Sequence, residues 1–151
     1  MRIGLISDTH GLLRAQAVRA LLGVERIIHA GDVGAPEVLE RLRALAPVHV
    51  VRGNNDRGAW ARHLPARLTL ELGGVRIEVL HDLKDLGAQP GAHDPQVVVS
   101  GHSHKPGVLE RNGTLLVNPG SAGPRRFKLP VTVGRLTVAD GMASAEIVAL
   151  M

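Results

Sequence analysis

Short apolar runs alternate with helically spaced ones through the first third of the chain. Ile3 to Ser7 is an apolar, β-branched run that stops at a polar cluster, which predicts a buried strand. From Leu12 to Leu22 apolar residues recur at helical spacing, with Arg14 and Arg19 on the other face and Gly23 as a stop. A second strand is expected at Arg26 to His29, a helix opened by Pro36 and running to Ala46, and a third strand at Val48 to Val51. This alternation implies parallel strands joined by crossover helices.

After that the pattern turns to hairpins. Leu68–Leu72 and Val75–Leu80 flank Gly73-Gly74, and Val108–Arg111 and Leu115–Val117 flank Asn112-Gly113. Val131–Val138 and Met142–Val148 flank Asp140-Gly141, and Val97 to Val99 is a short, wholly apolar strand. Asp82 to Pro95 is the expected long loop. One α/β domain over residues 1–151 follows, with either two sheets or one mixed sheet.

Composition narrows the chemistry. Trp60 and Phe127 are the only aromatics, so the core must be aliphatic and no platforms for stacking bases are in sight. Cysteine is absent, which excludes disulfides, thiolate metal sites and thiol catalysis. The net charge of +4 comes from dispersed arginines without a basic stripe, which argues against a nucleic-acid partner. The apolar N-terminal run is stopped by Asp8 and His10, and no run approaches the roughly 20 apolar residues that span a bilayer. The expectation is a cytoplasmic protein without a membrane partner, with hairpin edges that offer a route to a homo-oligomer.

Eight histidines carry more information. Asp8 and His10 follow the first strand, Asp32 the second, and Asn54, Asn55 and Asp56 the third. His81 follows the strand ending at Leu80, and His102 and His104 follow the one ending at Val99. Ligands in open α/β sheets bind outside the carboxyl ends of strands, so five segments deliver oxygen and imidazole donors to one edge. Such donors without thiolate suit a hard or borderline divalent cation. The i, i+2 spacing of Asp8/His10 and of His102/His104 would point each pair the same way from an extended chain. Seven candidates (Asp8, His10, Asp32, Asn54, His81, His102 and His104) exceed one tetrahedral site and suit two metals, with Asp32 as the bridging carboxylate. Asp8 and Asp32 can also be read as helix caps, and His29, His49, His63 and His93 as structural residues.

Taken together, Ser7-Asp8-Thr9-His10-Gly11, Gly31-Asp32, Gly53-Asn54-Asn55-Asp56, His81 and Gly101-His102-Ser103-His104 resemble the five blocks of the calcineurin-like metallophosphoesterases. The compact size and Asn118-Pro119-Gly120-Ser121 resemble its small YfcE-type phosphodiesterase branch, and the likeness runs from residue 1 to about 125. The resemblance implies a two-layered β-sheet sandwich flanked by helices. It implies Asp8, His10, Asp32 and His104 on one metal and Asp32, Asn54, His81 and His102 on the other, with a bridging hydroxide attacking a small-molecule phosphoester. The ions expected are two divalent cations, Mn²⁺ first, with Fe, Co, Ni or Zn as substitutes. Asp32, His102 and Asn55 are the expected catalytic residues, Asp56 is expected to hold a ligand histidine in its tautomer, and Arg125 and Arg126 are candidate phosphate contacts.

Two positions depart from the family pattern. Asn55 replaces the usual His or Cys, and an amide donates hydrogen bonds but is no general acid near neutral pH. Asp82 stands where glycine is usual. Retention of all seven ligands favours an enzyme. The alternative is a metal-binding protein-interaction scaffold like the retromer subunit of this fold, and a nuclease is disfavoured by the missing aromatics and basic stripe.

Overall fold

A computed structural model describes residues 1–87 and 95–151 of the chain. His93 and most of the second half of the expected Asp82–Pro95 loop lie outside the described residues. Ten strands form two five-stranded sheets: β1 (Arg2–Ile6), β2 (Arg26–His29), β3 (Val48–Val50), β4 (Arg67–Leu72), β5 (Val75–Leu80), β6 (Val97–Val99), β7 (Gly107–Arg111), β8 (Thr114–Asn118), β9 (Thr132–Ala139) and β10 (Met142–Ala149). One sheet has the order β10-β9-β1-β2-β3 and the other β4-β5-β6-β8-β7. The open choice between two sheets and one mixed sheet is thus resolved as two.

Within each sheet three neighbours run parallel. Ile3 pairs with Arg26 and Ile27 with Val48 in the first, and Ile77 with Val97 and Val97 with Leu115 in the second. The carboxyl ends of β1, β2 and β3, and of β5, β6 and β8, therefore each converge on one edge. Antiparallel hairpins complete both sheets, β9 pairing with β1 and β10, β4 with β5, and β7 with β8. In the turns Asn112-Gly113 and Asp140-Gly141 both residues have positive φ, as two-residue hairpin loops of this kind require.

Ile3, Leu5 and Ile28 of one sheet meet Ile77, Val79, Val97 and Val99 of the other in an aliphatic core, all fully buried. The opposite face of the first sheet buries Ile6 and Ile27 against Ala17 of helix α1 (Ala15–Ala20), Leu21 just past its end, and Leu39 and Leu42 of helix α2 (Pro36–Arg43). Both helices are shorter than their apolar periodicity suggests. Leu12 and Leu22, counted as helical from the pattern, are 40% and 61% exposed, and α1 ends in a turn at Leu21. On the outer face of the second sheet, among the described residues, only the 3₁₀ turn Leu83–Leu86 packs on Leu80, Val98 and Leu116. Among the described residues, both α-helices flank the first sheet.

Candidate metal centre

The chain leaving β1 is zipped to the chain leaving β2. Asp8 N donates to the Gly31 carbonyl (3.0 Å), His10 N to that of Asp32 (2.9 Å) and Gly11 N to that of Val33 (2.8 Å). These bonds prolong the β1–β2 pairing past both strand ends and set Asp8, His10 and Asp32 side by side. The chain is not extended there, contrary to the expectation from i, i+2 spacing. Asp8, His10, Asp32, His102 and His104 all have left-handed backbones, with φ of 54°, 47°, 54°, 69° and 63°. Non-glycine residues held in this region concentrate at functional sites, where surrounding structure enforces them.

Glycine makes the convergence possible. A Cβ on Gly53 would lie 2.1 Å from both Asp32 N and Asp32 Oδ1, and one on Gly101 2.1 Å from Ser7 Oγ and 2.7 Å from Asp8 Oδ2. The backbones after β3 and β6 pass so close to the two carboxylates that only glycine fits.

Asp8 is completely buried and its two oxygens are used differently. Oδ2 accepts from Ser7 Oγ (2.8 Å) and His102 N (3.1 Å), whereas Oδ1 has no hydrogen-bond partner. That oxygen faces His104 Nε2 at 3.4 Å and His10 Nε2 and His81 Nε2 at 3.8 Å. Asp32 Oδ2 stands 3.2 Å from His81 Nε2 and 3.8 Å from His10 Nε2, and His10 Nε2 is 3.5 Å from His104 Nε2. Two triads result, Asp8–His10–His104 and Asp8–Asp32–His81, with Asp8 common to both.

The tautomer of His81 is set from behind, whereas His104 Nδ1 is buried without a hydrogen-bond partner. His81 Nδ1 donates to the Ala30 carbonyl (2.8 Å), which leaves the lone pair on Nε2 directed at the carboxylates, and that Nε2 has no hydrogen-bond partner. Burial opposes charge on His81, but Asp32, the Ala30 carbonyl and Asp8 together raise its pKa. Burial would also raise Asp32, yet the neighbouring His81 and the two donors of Asn55 hold it well below the usual carboxylate range. Asp8 is raised, burial outweighing His81, Ser7 and His104. His104 is lowered by burial, with Arg126 adding repulsion against the attraction of Asp8.

An unpartnered buried carboxylate oxygen facing an unpartnered imidazole nitrogen is costly in a dry pocket unless another group joins them. The separations of 3.2 to 3.8 Å are of the order adopted by two ligands each about 2.1 Å from one ion. The residues present therefore fit divalent cations.

His102 and Asn54 stand at the margin of this cluster. His102 is 45% exposed, its ring 5.2 Å from that of His81 and its Nε2 3.7 Å from Asp82 Oδ2, so the unusual Asp82 faces a ligand candidate. Asn54 lines the same cleft as His81 and His102. Asn55 turns inward: its N donates to Asp32 Oδ1 (2.8 Å) and its Nδ2 to Asp32 Oδ2 (3.0 Å).

Other expectations are corrected. Asp56 is hydrogen-bonded to no histidine among the described residues; its carboxylate accepts from the backbone N–H groups of Val33, Gly34 and Gly53, locking two site loops together. Neither Asp8 nor Asp32 caps a helix, since the capping positions are Arg14 and Ala35. His49 and His63 line a separate surface cavity with Trp60. His29 is fully buried, as a structural residue should be, but its Nδ1 accepts from Gly31 N and its Nε2 meets Thr9 Oγ1, both at 3.0 Å. It thereby joins the two loops that carry Asp8, His10 and Asp32.

Sequence reading gave no role to Ser7, Ser121 or Asn118. Ser121 Oγ donates to the Asp8 carbonyl (3.0 Å), and Asn118 Nδ2 to Gly101 O and Ser103 Oγ (both 3.1 Å). The available signal was position: each lies at or just past a strand end, as the ligands do.

Comparison with known proteins agrees with this geometry. Residues 1–141 match the calcineurin-like phosphoesterase superfamily domain. The chain is 36% identical to a "Probable metallophosphoesterase" of Methanothermobacter thermautotrophicus over 163 aligned residues, covering 98% of this chain and 92% of that protein. It is 34% identical to the "Probable metallophosphoesterase YsnB" of Bacillus subtilis, covering 97% and 89%. Among solved structures, the Escherichia coli phosphoesterase YfcE superposes with a TM-score of 0.72 at 26% identity, with full coverage of both chains. Chaetomium thermophilum Vps29 shares the fold at a TM-score of 0.79 and 19% identity, covering 98% of this chain and 96% of that one.

Proposed function

Because the chain belongs to the calcineurin-like phosphoesterase superfamily, we propose that it is a metal-dependent phosphodiesterase acting on small-molecule phosphoesters. The observation that carries this reading is the pair of triads Asp8–His10–His104 and Asp8–Asp32–His81, whose carboxylate and imidazole donors crowd around the buried, unpartnered Asp8 Oδ1. Asp8, His10, Asp32 and His104 would hold one divalent ion, and Asp32, Asn54, His81 and His102 the other, with Mn²⁺ the first candidate; Asp32 would be shared because its Oδ2 faces both His10 and His81, although Asp8 is the residue common to the two triads. Bound there, such ions supply Lewis acidity toward phosphoryl oxygens and make water acidic enough to be a nucleophile near neutral pH.

The protein's own groups do the positioning. Ala30 O and Ser7 Oγ fix the donor atoms of His81 and Asp8. Asn55, bonded twice to Asp32, keeps that carboxylate in place. His102, half in solvent, is placed to orient the phosphoryl group. No acid stands at position 55 to protonate the departing oxygen, so esters of acidic alcohols are favoured over alkyl esters by about 10²–10⁴-fold.

One observation favours the scaffold reading with little or no catalysis: the Asn55 amide faces Asp32 and not the cleft. Turnover separates the two. Protein loaded with Mn²⁺ should hydrolyse bis(p-nitrophenyl) phosphate faster than p-nitrophenyl phosphate and lose both activities to a chelator. Bound metal without turnover of either ester supports the scaffold.

A further inference from the structure

Two cavities meet at His102 and Asp82, which line both. A phosphomonoester has one ester arm and a phosphodiester two, and a pair of cavities flanking one phosphoryl-orienting histidine matches the second count. They differ in chemistry. The cavity of about 570 Å³ on the Asn54 and His81 side is lined by as many acids as cations, Asp82 and Asp85 against Arg52 and Arg67. The other, of about 640 Å³, lies on the outer face of the second sheet against β7 and β8. Its apolar wall is made by Leu83, Leu109 and Leu116.

Three cations stand along that wall, Lys84, Lys105 and Arg111, against Asp82 as the only acid. The two lysines are two of only three in the chain. None of the three cations forms an ion pair among the described residues, so their charge beside the groove is not cancelled by a protein carboxylate. Among the described residues no Phe, Tyr or Trp lines the groove, which removes the large aromatic platforms on which a nucleobase stacks. An aliphatic body with a negative terminus satisfies both the leucines and the cations.

We propose that this groove is a specificity subsite for one arm of an asymmetric phosphodiester, an aliphatic arm ending in a carboxylate or phosphate. The proposal rests on the phosphodiesterase reading above and adds to it the class of substrate. Lys84 and Lys105 select the arm by charge, and the leucines hold its chain. The phosphoryl group remains at the histidine cluster, and the second, polar arm takes the balanced cavity.

Binding of hydrolysis-resistant phosphonates tests this without turnover. An ω-carboxyalkylphosphonate should bind the metal-loaded protein about tenfold more tightly in low salt than the alkylphosphonate of the same chain length, by calorimetric titration. Exposed charges are screened, so the preference should shrink as salt is raised. Lys84→Gln with Lys105→Gln should bring the ratio of the two affinities close to one. Equal affinities for the wild-type protein across chain lengths, or a preference unaltered in the double variant, would overturn the subsite. Failure to hydrolyse bis(p-nitrophenyl) phosphate contradicts the phosphodiesterase reading instead, and the two failures are read in separate experiments.

Discussion

Asp8 divides its two oxygens between structure and chemistry, one saturated by Ser7 and His102 N, the other facing three imidazoles. Asn55 does the reverse for Asp32, placing a donor on each oxygen. Groups behind metal ligands commonly contribute 10–100-fold to affinity. Asn55→Ala should therefore weaken metal binding by about tenfold, read by competition with a chelating dye. Asn55→His should raise turnover of esters with poor leaving groups; unchanged rates would show that protonation from this position is not what is missing. His29 gives a stability prediction. Burial pushes its pKa down from 6.5 to about 3, so the unfolded chain takes up a proton there before the folded one does. Its contribution is complete above pH 6.5 and is lost as pH falls toward 3. Denaturant unfolding should show the wild type losing stability through this window, and His29→Gln a shallower slope. Residue types at strand ends made the candidate ligands readable from sequence. Their left-handed backbones were not, because neither Asp nor His announces a positive φ that is imposed by a partner loop.

At the scale of elements, strands and hairpins were legible because alternation and the pairs Gly73-Gly74, Asn112-Gly113 and Asp140-Gly141 mark them directly. Helix length was not. Leu12 and Leu22 continue the helical spacing of α1 yet stay exposed, since the chain must first turn through Gly11 to carry His10 into the site. What joins the elements is close backbone approach. Gly101→Ala would place a Cβ within 2.1 Å of Ser7 Oγ, separating the chain after β6 from the chain after β1. Overpacking of this kind typically costs 1–3 kcal/mol, and about that loss is expected in denaturant unfolding. Metal affinity should fall with it, because His102 N and Asp8 would be pushed apart. A variant with wild-type stability and metal affinity would show that the approach is not required.

For the whole molecule, two sheets stacked on an aliphatic core bring the carboxyl ends of six parallel strands to one edge, and the site is built there from loops about twenty to a hundred residues apart in sequence. The order of the motifs made this architecture legible, since only parallel pairing delivers Asp8, Asp32, His81 and His104 to a common edge. The meeting of two unlike cavities at His102 was not, because it depends on the outer face of the second sheet and on the Asp82 carboxylate. The central claim is that these residues form one binuclear centre for phosphoester hydrolysis. Calorimetric titration with Mn²⁺, paired with the same titration of Asp32→Ala, tests it most directly. The account predicts two ions per wild-type chain, and in the variant a native fold by circular dichroism with loss of the pair and of turnover together. A wild-type chain that binds no ion, or an Asp32→Ala variant that keeps both ions and full turnover, would contradict it.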